Sequence, residues 1–164
     1  MQIHVKIPNL QEFSEKMFLE SIRYYADVLL EEKHKEELKI TCQISDTLNS
    51  ENKAVVLHNI RKHLQETQTE FLILISEKEI MKNDLPDLLE SLAHEMIHVK
   101  QNLTGDLVFL RNNTLQDYAI VWKNKIIIGI EKLSEKNKPW EQEPYEESKN
   151  LFESFLLTWN HENR

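Results

Sequence analysis

The sequence is poor in the residues that bend or cross-link a chain. Two glycines and four prolines in 164 residues favour long regular elements over a loop-rich scaffold. One cysteine, Cys42, excludes an intrachain disulfide framework, and nothing points to an oxidising compartment. The most hydrophobic window, Lys125 to Ile130, is far shorter than the ~20 apolar residues of a spanning helix. Met1-Gln2-Ile3-His4-Val5-Lys6 lacks the apolar stretch and small-residue cleavage site of a leader peptide. These absences make a cytoplasmic protein with no membrane partner the expectation. There is no Walker loop, dinucleotide fingerprint or CxxC pair, and no repeat or low-complexity linker. A single domain over residues 1–164 is expected, long enough to bury a core without staples. The net charge of −8 argues against broad binding to nucleic acid, so no direct nucleic-acid contact is expected.

What is present is a series of periodic segments. From about Leu10 to Lys33 the apolar residues Phe13, Met17, Ile22, Tyr25 and Leu29 stand close to helical spacing. The charged run Glu31 to Glu37 reads as a solvated helix end or connector. Three strands follow: Leu38 to Ile44, alternating through Ile40 and Cys42, then the aliphatic runs Ala54 to Ile60 and Phe71 to Ile75. Asn83-Asp84 introduces a helix from Leu85 to about Leu103, with Asp84 as N-cap, Pro86 in the first turn and Gly105 past the end. Tyr118 to Trp122 and Ile126 to Ile130, joined by Lys123-Asn124-Lys125, read as a hairpin. A last helix from about Glu141 to Trp159 carries Tyr145, Ser148, Phe152, Phe155 and Trp159 on one face. The order is helix, three strands, helix, hairpin, helix, an α+β fold.

One motif carries chemistry. Residues 94–98 read His94-Glu95-Met96-Ile97-His98, the HExxH pattern. Positions i and i+4 of a helix share a face, so both imidazoles can reach one cation. Glu95 sits about 100° around the axis from His94, beside the metal and within reach of its water. Zinc suits two neutral imidazoles and a carboxylate with one open position. It brings the pKa of a water from 15.7 to about 7, and Glu95 can take the proton. Chance would give about 0.04 such matches in a chain of this composition. Leu85, Leu89, Leu92, Met96, Val99 and Leu103 fall on the side opposite His94, whereas His98 and Gln101 share its side. An ordinary solvated face would be rich in Lys and Glu; this one presents two histidines and a glutamine.

Leu92-Ala93-His94-Glu95-Met96-Ile97-His98-Val99-Lys100-Gln101 resembles the active-site helix of zincin metallopeptidases. A metzincin would have Gly at 101 and His at 104, but the chain has Gln101 and Thr104, so that branch is excluded. With Trp122 in a hairpin and Pro139-Trp140-Glu141-Gln142-Glu143 downstream, the region 69–160 is similar to small gluzincin-type zinc peptidases, minigluzincin, SprT-like and phage-encoded proteins among them. The resemblance implies a zincin-like fold: N-terminal helix, small three- to four-stranded sheet, active-site helix, hairpin and C-terminal helix. It implies a third ligand from a glutamate at the start of the last helix. Carried over, this is Glu141, with Glu143 as the alternative. Pro144 departs from the alanine such families often have, and requires the helix to begin near Glu141 so that it falls in the first turn. The implied activity is zinc-dependent endopeptidase hydrolysis of a peptide or protein, with Glu95 as general base. Two alternatives stay open: a zinc hydrolase of a non-peptide amide, and a catalytically idle, metal-stabilised interaction module.

Other residues carry weaker signals. A Tyr, His or Arg often assists a tetrahedral intermediate. Tyr145 is the first candidate, followed by Tyr118, Arg111 and His161. Gln101 is either a residue that orients a ligand or a polar surface group. His58 and His63 are poorly spaced for a shared metal, and His4 and His34 read as incidental. Glu146 and Glu147 read as solvated charges, Cys42 as buried, and Trp122, Trp140 and Trp159 as packing residues, with Trp140 able to wall a pocket.

Overall fold

The alternation of Leu38, Ile40 and Cys42 is realised in a strand that places all three side chains in the core. The computed structural model describes residues 1–8, 12–48, 54–63, 66–82, 84–111 and 118–163. Its elements run β1 (Gln2–Lys6), α1 (Glu12–Leu29), α2 (Glu32–Lys35), β2 (Leu38–Ser45), β3 (Ala54–His63), β4 (Glu66–Ser76), α3 (Glu77–Met81) and α4 (Leu85–Leu103). There follow β5 (Leu107–Arg111), β6 (Tyr118–Trp122), β7 (Lys125–Ile127), two short 3-10 turns and α5 (Gln142–Glu162). The architecture is α+β.

The first sheet has the order β1-β2-β4-β3. β1, β2 and β4 are parallel, and β3 returns antiparallel along β4 as one edge. Ile40 faces Phe71 and Cys42 faces Ile73 across the β2–β4 ladder, so one side of the sheet is continuously apolar. Helices α1, α4 and α5 pack on one another, and their buried side chains merge with that side into one core. The Tyr25 hydroxyl donates to the Leu89 carbonyl at 3.2 Å, tying α1 to α4 inside this core.

Three features depart from the expected order. β1 precedes the first helix, and its residues alternate exposed and half-buried with Ile3 and Val5 inward. That alternation is short enough to pass as a terminus; pairing with β2 makes it a strand. The hairpin gains a third strand, giving a sheet β5-β6-β7. Its turn is two residues, not three: Lys123 and Asn124 adopt φ of 46° and 65°, the left-handed pair of a type I′ turn, which leaves Lys125 to open β7. Ile128 to Ile130 lie beyond β7, where Gly129 at φ 75° leads into a 3-10 turn. The inner face of this sheet buries Leu107 and Ile120 against Trp140, forming a second, smaller apolar cluster.

The helices carrying the motif behave as their ends prescribe. The Asp84 side chain accepts from the Asp87 amide at 3.1 Å, capping α4. Thr104 closes it, and Gly105 follows at φ 77°, a conformation that disfavours any side chain. Asn83 lies outside the described residues. No helix among the described residues is long and apolar enough to cross a membrane.

Candidate metal centre

Helix α4 is buried on more than its leucine stripe. Leu89, Leu92, Met96 and Val99 face the main core, and α5 covers much of the other side, so His98, Gln101 and Glu95 are buried as well. His94 is half-buried. The rings of His94 and His98 stand edge to face with centroids 5.0 Å apart, as expected for i and i+4 on one face.

The third member comes from α5. Glu141 occupies the N-cap position, yet its side chain makes no capping bond. It turns to the histidines instead: its Oε2 lies 3.1 Å from Nε2 of His94 and 3.2 Å from Nε2 of His98. Pro144 falls in the first turn of α5, where its missing N–H breaks no helical bond. The candidate ligand atoms of His94, His98 and Glu141 all lie within 4.8 Å of one another. Neighbouring donors of a tetrahedral ion at about 2.0–2.1 Å stand roughly 3.3 Å apart, close to the two separations between Glu141 and the imidazoles. The group could hold a metal ion.

The three side chains are also coupled electrostatically. Burial alone would raise the pKa of Glu141; the hydrogen bonds and positive charge offered by His94 and His98 outweigh it and hold the carboxyl down at about 2. Burial alone would lower His98, but the hydrogen bond to Glu141 and the charges of Glu95 and Glu141 raise it. The carboxylate and the imidazole thus stabilise each other's charged forms, and a cation at these donors would take the place of the shared protons.

No family model, curated protein or solved structure matches this chain. The reading of the centre therefore stands on its own geometry.

Glu143 is not in the cluster. Its carboxylate accepts from Lys100 Nζ at 2.5 Å and from Gln101 Nε2 at 3.1 Å. Burial would raise its pKa, but these two partners lower it. Tyr145 stands edge-on to His94, ring centroids 5.2 Å apart, and half of its surface is open to solvent. His161 lies twenty residues beyond Glu141 on the same helix, roughly 30 Å away at 1.5 Å per residue, and takes no part in the centre. The side chains of Arg111, Tyr118, His58 and His63 lie outside the described ones. His4 is exposed and His34 half-buried, and neither belongs to the cluster. Glu146 and Glu147 are exposed, whereas Cys42 is fully buried with its thiol pKa pushed up by burial. Trp140 and Trp159 are buried; Trp122 packs on the smaller cluster with Lys123 Nζ over its ring at 4.9 Å.

The sequence allows Gln101 either an orienting or a surface role, and in the fold it has no solvent exposure at all. The available signal was its place one turn beyond His98 on the same helical face.

Proposed function

We propose that this chain is a zinc-dependent endopeptidase of gluzincin type, with the metal held by His94, His98 and Glu141. The observation that carries the reading is the convergence of one glutamate oxygen on two imidazole nitrogens, at 3.1 and 3.2 Å, on a helix whose intervening Glu95 is buried beside them. A structural site has no use for a buried carboxylate between its two histidines and usually closes its fourth position with a protein ligand. Among the described residues no fourth ligand joins this group.

Zinc held by these donors would supply a Lewis acid able to polarise a carbonyl and lower a water's pKa to about 7. Glu95 would accept the water's proton as its oxygen attacks the peptide carbonyl and would return it to the departing amine nitrogen. Tyr145, at the edge of the His94 ring and open to solvent, is the candidate donor to the carbonyl oxygen. The fold in this reading is zincin-like. In support, β3 is an antiparallel sheet edge packed against α4, where an extended peptide can add its own backbone hydrogen bonds.

The test combines metal analysis with a peptide-library digest. Purified protein should carry about one zinc per chain, and cleavage should vanish with chelator and return with zinc. Glu95→Gln should lower turnover on the order of 10³-fold while the metal stays bound. Bound zinc with no chelator-sensitive cleavage of any peptide would replace this reading with an amidase of other substrates or an idle module. Undiminished turnover in Glu95→Gln would remove Glu95 from the mechanism.

A further inference from the structure

We infer that Gln101 is a positioning residue, one side chain that sets the orientation of His98 and fixes the backbone from which Glu141 projects. The inference rests on the metal reading of His94, His98 and Glu141 given above.

Gln101 is fully buried, and both ends of its side-chain amide have partners. Its Nε2 lies 3.0 Å from the Trp140 carbonyl oxygen and 3.1 Å from Glu143 Oε2. Both neighbours are acceptors only at neutral pH, so this end of the amide must be the NH₂, and its two protons are both used. The amide oxygen is thereby forced toward His98, where Nδ1 lies 2.9 Å away. An oxygen accepts, so Nδ1 must carry the proton. With the Nδ1 proton held by Gln101, Nε2 is the nitrogen left to a cation, in exchange for the proton it shares with the Glu141 carboxylate it faces. The amide thus selects the tautomer that can bind a metal at the centre.

Trp140 immediately precedes Glu141, and the bond from Gln101 holds the Trp140 carbonyl at the root of α5. Lys100 reaches the other oxygen of Glu143, so Gln101 and Lys100 hold the first turn of α5 to the last turns of α4. One amide therefore joins a ligand on α4 to the backbone of a ligand 43 residues later. An error in either distance would reach the metal directly, which is why a positioning role here acts on metal affinity and not on fold alone.

The test measures zinc affinity by chelator competition and the visible spectrum of the cobalt-loaded protein, for the unmodified chain and two variants. Gln101→Met keeps the length and loses every hydrogen bond; its zinc affinity should fall about 10–100-fold and its cobalt spectrum should change. Gln101→Glu keeps an acceptor for Nδ1–H but loses the donor to the Trp140 carbonyl, and Glu143→Gln restores only the partner on α5; this double variant should bind zinc more tightly than Gln101→Met, and equal or weaker binding removes the role of the bond to His98. A merely structural glutamine would lower the melting temperature of the metal-free variant and leave affinity and spectrum unchanged, which overturns the inference. Should Gln101→Met not fold, long-range nitrogen NMR on the zinc-loaded unmodified protein decides. Metal on Nε2 of His98 with a proton on Nδ1 is expected, and metal on Nδ1 overturns it. An unmodified chain that takes up no zinc removes the metal reading itself, whereas equal affinity in unmodified protein and Gln101→Met removes only the role of Gln101.

Discussion

The main core and the small cluster differ in what they bury and in what they hold. The main core gathers Phe18, Ile22, Tyr25, Ile40, Phe71, Leu89, Leu92 and Met96, among others, from three helices and the four-stranded sheet. The small cluster buries Leu107, Ile120 and Trp140 under the three-stranded sheet. His94 and His98 project from α4, an element fixed by the main core. The N-terminal root of α5, from which Glu141 projects, is anchored by Trp140 in the small one, although the rest of that helix reaches the main core through Phe152, Phe155 and Trp159. The difference teaches that the centre is assembled across two packing units of unequal size. The histidine pair should survive most local damage, and the Glu141 side should be the first to slip.

The sharpest way to break this comparison is a pair of truncations. Leu89→Ala in the main core should cost about 2–5 kcal/mol of global stability and leave zinc affinity of the folded protein within about twofold. Trp140→Ala should cost about 3 kcal/mol, and should also weaken zinc binding on the order of tenfold. Thermal melts with chelator-competition titrations separate the two. Equal losses of affinity in both variants would mean that the centre is held as one unit.

A pH series on metal-free protein sharpens the same contrast at the junction. The folded pKa of Glu141, about 2, lies below the ordinary value of about 4.3, so its contribution is present above about pH 4.3 and is lost as pH falls toward 2. His98 is shifted the other way. Its contribution is full below the ordinary histidine value of about 6.5 and disappears as pH rises through the raised folded value. Metal-free protein should therefore melt highest between about pH 4.3 and 6.5. Zinc should reverse the upper limb, because coordination needs neutral imidazoles. A metal-free melting temperature that rises steadily from about pH 5 to about 9 would contradict the pairing of His98 with Glu141.

The smallest expected effect lies at the far end of α4. Asp84→Ala removes the cap bond to the Asp87 amide and should cost about 1 kcal/mol, a shift of roughly 2–4 °C in Tm. Zinc affinity should not move, since the cap lies in the first turn of α4 and the histidines in its third and fourth. A loss of affinity there would show that fraying of α4 reaches the centre.

Much of the fold was legible because its signals are local. The bounds of α4 follow from Asp84, Pro86 and Gly105, and the buried side of β2 follows from alternation. β1 and β5 were missed because each is five residues long and, unlike the equally short β6, is joined to no neighbouring run by a recognisable tight turn; pairing with β2 and β6 reveals them. The turn at Lys123-Asn124 was placed correctly but one residue too long, since only backbone geometry fixes where a strand resumes. Glu143 was a reasonable rival to Glu141 by spacing alone, and packing directed it to Lys100 and Gln101.

By itself, the sequence determined a helix that sets two imidazoles one turn apart with a carboxylate between them, because a helical repeat converts spacing into direction without help from the rest of the chain. Only the tertiary structure decided that Glu141 meets both rings and that Gln101 bonds both His98 and the Trp140 carbonyl. The contacts to Trp140 and Glu141 span some forty residues, and across such a distance direction is set by the docking of α5 on α4, which no local pattern encodes.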